Sequence, residues 1–183
     1  PVQGAGNDSI SLSVASSSMG PVIGSFDKLI DYPYGCTEQT LSRLVPSIVA
    51  FQLHKNLDMP ISAEQKKKFA EIFKMGMKKL TDHHHGDGGW GWWVDDESNI
   101  YLTSYVVEGL LLLKECEYGV PGEMITTGRD WLKKNVVELN KQLHDPKVKI
   151  DAYDYREKRI DLARALFALS LTGQKPDQKI CDA

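Results

Sequence analysis

A thiol and a carboxamide near the start of one helix could form a covalent bond in this chain. Cys36 and Gln39 stand at the beginning of an apolar helical pattern, and side chains at positions i and i+3 are neighbours on a helix surface. The cysteine sulfur could take over the acyl group of the glutamine and release ammonia, which leaves an internal thioester. Such a bond is an electrophile that survives only while water is kept away from it.

The residues around this pair suit the same chemistry. The N-terminus of a helix stabilises a thiolate, and Gly35 permits an unusual turn into the helix. We expect Glu38 to support the site by binding backbone amides or a nearby cation, without joining the bond. Five large aromatic residues could shield the thioester from water: Tyr32, Tyr34, Trp90, Trp92 and Trp93. Core or interface packing is the default interpretation of each of them.

Three segments of the chain share a pattern with one known family. Residues 32–39 read Tyr-Pro-Tyr-Gly-Cys-Thr-Glu-Gln, Pro46 lies ten residues after Cys36, and the run Asp-Gly-Gly-Trp-Gly at 87–91 precedes the apolar run at 99–107. This arrangement resembles the thioester domain of the alpha-2-macroglobulin and complement family, and it is most similar to the bacterial alpha-2-macroglobulins. The resemblance covers roughly residues 20–115. Thr37 stands where the animal members carry glycine, a departure that bears on the geometry of the first helical turn.

The resemblance implies a protease inhibitor that works by covalent trapping. In this family a protease cuts a bait region, the domains rearrange, and the exposed thioester is attacked by lysine amines of the protease. The implied partners are target proteases and the other domains of the same full-length protein, and the implied location is the periplasm, the cell envelope or the extracellular space. Such a trap acts once, so the resemblance implies neither enzymatic turnover nor a cofactor. His144 lies in the part of the chain where complement proteins carry an acyl-accepting histidine, but no matching motif surrounds it, and the role is not assigned.

Apolar periodicity predicts a mainly α domain. The first helix follows the Cys36 motif, and Pro46 should kink or divide it. A capping box at 62–65 opens a second helix with Phe69, Ile72, Phe73, Met77 and Leu80 facing inward, a loop rich in glycine and aromatic residues follows at 83–93, and further helices are predicted at 102–114, 124–143 and 160–171, the last capped by Gly173. Apolar helices recurring near residues 38, 101 and 160 are typical of helical hairpins stacked in a ring. The resemblance likewise implies an α/α toroid, here an incomplete ring.

The N-terminal residues follow a different pattern. Residues 9–14 alternate serine with apolar residues, the period of a half-buried strand. We assign residues 1–20 to a β-strand segment and linker from a preceding domain. Residues 21–183 are assigned to the thioester-containing helical domain, truncated at the C-terminus, with a short helix over 22–30. The chain begins at Pro1, and we expect it to be a piece of a larger protein.

The composition of the chain argues against nucleic-acid binding and against a membrane-spanning helix. The 183 residues are 42% hydrophobic and 26% charged, which suits one soluble domain with a real core. A net charge of −3 gives no basic surface for nucleic acid, and no apolar run reaches the roughly 18 residues that a membrane-spanning helix needs. Cys116 and Cys181 lack metal-ligand spacing, and we interpret both as ordinary thiols, with Cys116 packed beside Leu113.

Enzymatic alternatives remain open at this point. A terpene cyclase or prenyltransferase could share the toroid, and residues 89–92 are similar to its Gln-Trp repeats, but the required acid and zinc-ligand patterns are absent. The run Asp95-Asp96-Glu97 is more simply a charge cluster at a helix start. A cysteine hydrolase would pair Cys36 with a histidine in space, although Gln39 would then have no purpose. The run at 83–85 favours a solvated loop over a metal site, because consecutive histidines point in different directions.

Overall fold

The computed structural model describes residues 35–58 and 60–173. Five α-helices occur in these two stretches: α1 (Thr37–Asn56), α2 (Ala63–Asp82), α3 (Ile100–Glu115), α4 (Gly122–His144) and α5 (Ala152–Leu171). They contain no β-strand, only an isolated bridge between His84 and Trp90. The mainly α prediction is therefore confirmed for this part of the chain. Several predictions lie outside the described residues: the strand at 9–14, the helix at 22–30, the domain boundary after residue 20, Tyr32, Tyr34 and Cys181.

The helices pack as successive hairpins. Helix α1 contacts α3 and α3 contacts α5, while α2 packs on α1 and α4 packs on both α3 and α5. Short connections at 57–62, 116–121 and 145–151 make sequential helices antiparallel neighbours. A longer loop over 83–99 joins α2 to α3. Among the described helices, none combines the length and apolar character that crossing a membrane requires.

Helix α3 lies at the centre of this arrangement. Its side chains Val106 and Leu110 belong to a core shared with α1 and α2, and Val107 belongs to a second core with Leu132 of α4. Gly109 permits a close crossing with α1, because a β carbon there would lie 2.8 Å from a methyl carbon of Leu41. The prediction that both faces of this helix are covered is confirmed.

Side chains at the helix ends explain where α2 and α5 begin. The predicted capping box is present in α2, with Ser62 Oγ accepting from the Gln65 backbone N–H at 3.1 Å and Gln65 Oε1 accepting from the Ser62 N–H at 2.9 Å. Helix α5 begins at Ala152, eight residues before the predicted start. Asp151 caps it by accepting from two backbone N–H groups, each at 2.9 Å. Gly173 adopts φ +76 just beyond its end, as predicted for a C-terminal cap.

Pro46 does not divide α1. The helix runs unbroken from Thr37 to Asn56 with the proline inside it. The proline removes one backbone hydrogen bond, but the neighbouring turns remain fixed because Leu44 and Ile48 are buried in the core. Of the two effects predicted for Pro46, a kink or a division, division does not occur.

Candidate functional site

The first turn of α1 brings Cys36 and Gln39 together. Cys36 is the residue that precedes the helix, with φ −69 and ψ 178, and Gln39 is the third residue inside it. The Gln39 side chain folds back so that its Oε1 accepts from the Cys36 backbone N–H at 3.3 Å. The carboxamide oxygen is therefore held at the backbone of Cys36, in the arrangement of a helix capping box. This is the neighbourhood that acyl transfer from Gln39 to the Cys36 sulfur requires.

Gly35 leaves the space that the glutamine occupies. A β carbon at this position would lie 2.8 Å from Gln39 Oε1 and 2.9 Å from its Cβ. Real β carbons essentially never come so close to other heavy atoms, so any larger residue would displace the carboxamide. Gly35 was predicted to permit an unusual turn, whereas the structure gives it a steric role, namely close approach of the Gln39 side chain four residues later.

Burial differs between the two partners. Cys36 is only 6% exposed, whereas the Gln39 side chain is exposed in the described part of the chain. Glu38 accepts a hydrogen bond from the Ser42 hydroxyl at 2.7 Å, and Ser42 also contacts the Tyr105 hydroxyl at 3.0 Å. The expectation that Glu38 binds backbone amides or a cation is corrected, because its partner is a hydroxyl one turn further along the same helix.

Thr37 holds the first turn from the inside. It is fully buried, and its backbone N–H donates to the Trp92 carbonyl at 3.0 Å. Its hydroxyl lies 3.3 Å from the same carbonyl and 2.9 Å from His83 Nδ1. Sequence reasoning noticed Thr37 only as a departure from glycine and missed the contact with His83. No local pattern signals it, because Thr37 lies in α1 and His83 lies just after the end of α2.

The loop between α2 and α3 is fastened by side chains at both ends. Asp87 accepts from the Gly89 N–H at 3.0 Å, the Ser98 hydroxyl at 2.7 Å and the Trp131 indole at 2.9 Å. Burial alone would raise the pKa of Asp87, but these hydrogen bonds to the carboxylate outweigh it and lower the pKa. A charged Asp87 therefore ties the loop to α4, and the loop in turn presents the Trp92 carbonyl to α1.

The aromatic residues proposed as shields occupy different environments. Trp90 is fully buried, with its indole N–H donating to the Leu80 carbonyl at 2.8 Å and its ring stacked on His84 at 4.2 Å. Trp92 and Trp93 are 41% and 57% exposed. The Trp92 ring stacks on Tyr101, while its carbonyl reaches the residue after Cys36. Trp90 therefore packs in the core, whereas Trp92 and Trp93 carry exposed rings on the loop whose Trp92 carbonyl bonds Thr37.

The three consecutive histidines do point in different directions, as predicted, but they are not simply solvated. His83 is 5% exposed, and burial lowers its pKa, with the positive charge of Lys79 adding to the effect. His84 Nε2 lies 3.1 Å from the Thr127 hydroxyl. His85 contacts the Ser98 hydroxyl at 2.8 Å. Each ring is therefore used in packing or hydrogen bonding, which corrects the expectation of a solvated loop.

The acidic run closes the loop rather than starting a helix. Asp96 Oδ2 accepts from the Trp92 backbone N–H at 2.7 Å, and its carboxylate lies 3.7 Å from His85 Nε2. The residue that caps α3 is Asn99, whose side chain accepts from the Leu102 N–H at 2.8 Å. The helix-start interpretation is therefore wrong for Asp96. Across residues 35–58 and 60–173, the His, Cys, Asp and Glu side chains form no group of three that could hold a metal ion.

Cys116 is a thiol at the end of α3. It is half-buried and not in a disulfide, and it packs against the core that contains Leu113. Burial raises the pKa of this thiol, with the neighbouring charge of Glu115 adding to the effect. The thiol therefore stays protonated and uncharged, which suits the predicted packing role of Cys116.

Helical hairpins with a cysteine and a glutamine facing each other at a helix N-terminus define a class of thioester-type helical domains. A family model described as the A-macroglobulin TED domain matches residues 11–142. The chain therefore belongs to the alpha-macroglobulin family and carries its thioester (TED) domain, whose fold is an α/α toroid.

Individual relatives agree with this assignment. Alpha-2-macroglobulin of Thermotoga maritima is 35% identical over 129 residues, which is 67% of this chain and 8% of that protein. The native Escherichia coli alpha-2-macroglobulin structure matches with a TM-score of 0.60 at 26% identity, covering 85% of this chain and 10% of that one. The trypsin-activated form from the same organism gives 0.56 at 27%, covering 79% and 10%. The chain thus spans a tenth or less of the length of these relatives.

Proposed function

We propose that Cys36 and Gln39 form an internal thioester, and that the full-length protein uses it to trap proteases covalently. The observation that carries this proposal is the folded-back Gln39 carboxamide, which lies against Cys36 in the space left by Gly35. A glutamine in this pose closes a capping box with Cys36, and its side chain is otherwise exposed. The same hydrogen bond holds the carboxamide beside Cys36, the residue whose sulfur would attack the acyl carbon.

The chemistry needs no cofactor. The Cys36 sulfur adds to the Gln39 acyl carbon, the carbon–nitrogen bond breaks, and ammonia leaves with the thiol proton, which gives the thioester. A lysine amine of the protease later attacks the same carbon. The carbon–sulfur bond then breaks, the amine proton passes to the sulfur, and an amide joins Gln39 to the protease while Cys36 becomes a free thiol. One event consumes the bond, so the protein is a single-use trap and not an enzyme.

Shielding of the bond must come partly from outside the described residues. Gln39 is exposed within them, and the loop whose Trp92 carbonyl accepts from the Thr37 N–H carries the exposed rings of Trp92 and Trp93, an apolar rim. We propose that this rim, with Tyr32, Tyr34 or a neighbouring domain of the full-length protein, covers the thioester until a protease acts. Displacement of this cover when a protease cuts the protein would expose the thioester to attack.

The relatives support a protease-responsive role. One solved form of the Escherichia coli protein is trypsin-activated, and the matched family consists of protease inhibitors that are typically not enzymes. By the same reasoning we propose a periplasmic, cell-envelope or extracellular location, where foreign proteases are met. The proposed partners are those proteases and the remaining domains of the same protein.

Protease challenge of the full-length protein tests the proposal. Mixing it with trypsin should give a conjugate that survives denaturation and thiol reduction, because an amide bond forms. Trypsin whose lysines have been dimethylated serves as the matched control. It cannot form the amide bond, so it should dissociate from the protein in denaturant. A Cys36→Ala variant should form no conjugate with either protease. Conjugation by Cys36→Ala, or repeated turnover of a small ester by the wild type, would contradict the proposal.

A further inference from the structure

The buried contact between Thr37 and His83 joins the first turn of α1 to the end of α2. The Thr37 hydroxyl lies 2.9 Å from His83 Nδ1, and the two side chains are 0% and 5% exposed. His83 follows the last residue of α2, and its backbone N–H donates to the Lys79 carbonyl at 2.9 Å. The imidazole is therefore fixed by its own helix, and it reaches a residue directly adjacent to Cys36.

We propose that His83 is a positioning residue for the thioester, acting through the Thr37 hydroxyl to fix the first turn of α1. This inference rests on the proposed function, since it concerns the same Cys36–Gln39 bond. His83 itself contacts Thr37 rather than the reacting atoms. Its effect on Cys36 is indirect, through the backbone of the turn that carries the cysteine and the glutamine.

Three hydrogen bonds converge on Thr37 and restrain this turn. Besides the imidazole contact, the Thr37 backbone N–H and hydroxyl both reach the Trp92 carbonyl, at 3.0 and 3.3 Å. If the hydroxyl donates to that carbonyl, its oxygen accepts from His83 Nδ1–H, so each group is satisfied. Removal of the hydroxyl leaves a buried nitrogen and carbonyl without this partner, and buried polar groups without partners are unfavourable.

Thioester formation is sensitive to such a restraint. The sulfur and the acyl carbon must approach within bonding distance, and a displacement of about 1 Å can slow a reaction between held groups by about a hundredfold. Cys36 immediately precedes Thr37, and Gln39 is two residues further on, so a shift of Thr37 moves both reacting groups. Burial keeps the pKa of His83 low, which favours the neutral imidazole as a hydrogen-bond partner rather than an added charge beside the cysteine.

Matched pairs of substitutions in the full-length protein test the inference. Intact mass under amine-free conditions measures the fraction of molecules lighter by one ammonia that then incorporate methylamine. Thr37→Val and His83→Gln should lower this fraction about tenfold or more. Thr37→Ser keeps the hydroxyl, and His83→Asn keeps a polar atom at the δ position, so both should stay within about twofold of the wild type. The double variant Thr37→Val, His83→Gln should fall no further than either single change, because the two residues act as a unit.

Thr103→Val is the control for a general loss of stability. Thr103 is also fully buried, and its hydroxyl bonds the Trp90 backbone N–H at 2.9 Å rather than the first turn of α1. It should lower the melting temperature while leaving the thioester fraction near the wild-type value. Because Asn and Gln differ by one methylene, the His83→Asn and His83→Gln pair stays decisive even where Thr37→Val does not fold.

Three results would overturn the inference, and they are distinguishable. Wild-type protein that carries the thioester while Thr37→Val and His83→Gln carry it equally would remove the positioning role and leave the proposed function intact. Wild-type protein that never loses ammonia or takes up methylamine would remove the proposed function, and the positioning role with it. If Thr103→Val lowers the thioester fraction as much as His83→Gln does, the effect of His83 is a general loss of stability, and the inference is overturned.

Discussion

At the scale of single residues, the site depends on a glycine, Gly35, at the position before Cys36. Gly35 has no β carbon, and the Gln39 carboxamide fills the resulting space at a distance that a β carbon could not tolerate. The glutamine can therefore fold back and accept from the Cys36 N–H. A substitution at Gly35 acts on the geometry of the reacting pair before it acts on stability.

We predict that Gly35→Ala lowers methylamine incorporation at Gln39 about tenfold or more, because the new methyl group displaces the carboxamide from Cys36. Mass spectrometry of the labelled peptide measures the change. Gly119→Ala is the matched control, since a β carbon there meets no atom within 4 Å, and it should label like the wild type. Normal labelling of Gly35→Ala would show that the observed close approach is unrelated to the bond.

The sequence predicts part of this geometry and misses the rest. Spacing three residues apart at a helix start places Cys36 and Gln39 side by side, and the structure agrees. The contact of Thr37 with His83 joins the first turn of α1 to the residue after α2, so no periodicity or motif could reveal it. The Glu38 prediction failed because a charged residue near a helix start usually serves the backbone, whereas here a serine hydroxyl on the next turn competes for it.

At the scale of elements, the loop over 83–99 is held by a charged carboxylate. Asp87 accepts three hydrogen bonds, and these lower its pKa despite its partial burial. A group whose pKa is lowered by folding adds stability above its unfolded pKa, about 3.9 for aspartate, and this contribution disappears as the pH falls through the lower, folded value. The loop should therefore loosen in acid.

Thermal unfolding at several pH values tests this role of Asp87. We predict that Asp87→Asn melts at a lower temperature than the wild type at pH 7, and that the gap narrows as the pH falls below about 4. Asp95→Asn is the control, because Asp95 lies exposed on the same loop, and it should show little gap at any pH. If the difference in melting temperature between Asp87→Asn and the wild type stays constant below about pH 4, the charge of Asp87 does not hold the loop.

Helix α5 shows why one element boundary escaped the sequence. Its first two turns are polar and largely exposed, so apolar periodicity begins only near Ile160. The helix begins at Ala152 because Asp151 satisfies two free N–H groups at its start. The cap at Asp151 sets where α5 begins. The apolar pattern indicates only where the helix becomes buried.

We predict that Asp151→Ala lowers the free energy of unfolding by about 1 kcal/mol, the usual loss for removing a helix cap. Urea denaturation followed by circular dichroism measures it. Lys149→Ala, an exposed change in the same connection, should leave the free energy of unfolding nearly unchanged. If Asp151→Ala is as stable as the wild type, the first two turns of α5 contribute nothing to the fold.

At the scale of the whole molecule, the chain corresponds to a tenth or less of the alpha-2-macroglobulins that it matches. Two cores meet at α3, one towards α1 and α2 and the other towards α4 and α5. Ile160, Phe167 and Leu171 of α5 are about half exposed, as the open edge of an unfinished ring of hairpins would be. The incomplete toroid stays a prediction, because its remaining helices would lie beyond the described residues.

The fold class was predictable because long, strongly periodic helices dominate the chain, whereas the function was not predictable from periodicity at all. Helical hairpins serve cyclases, transferases and traps alike. The short motif at 35–39 separated these possibilities. Its chemistry depends on side chains that only a specific first turn brings together.

Intact-mass measurement of the gently purified full-length protein tests the central claim most directly. The account predicts a species lighter by one ammonia than the sequence requires, which gains one methylamine and exposes one alkylatable thiol when methylamine is added. A protein of full sequence mass, with Cys36 alkylatable from the outset and no methylamine ever attached to Gln39, would contradict it.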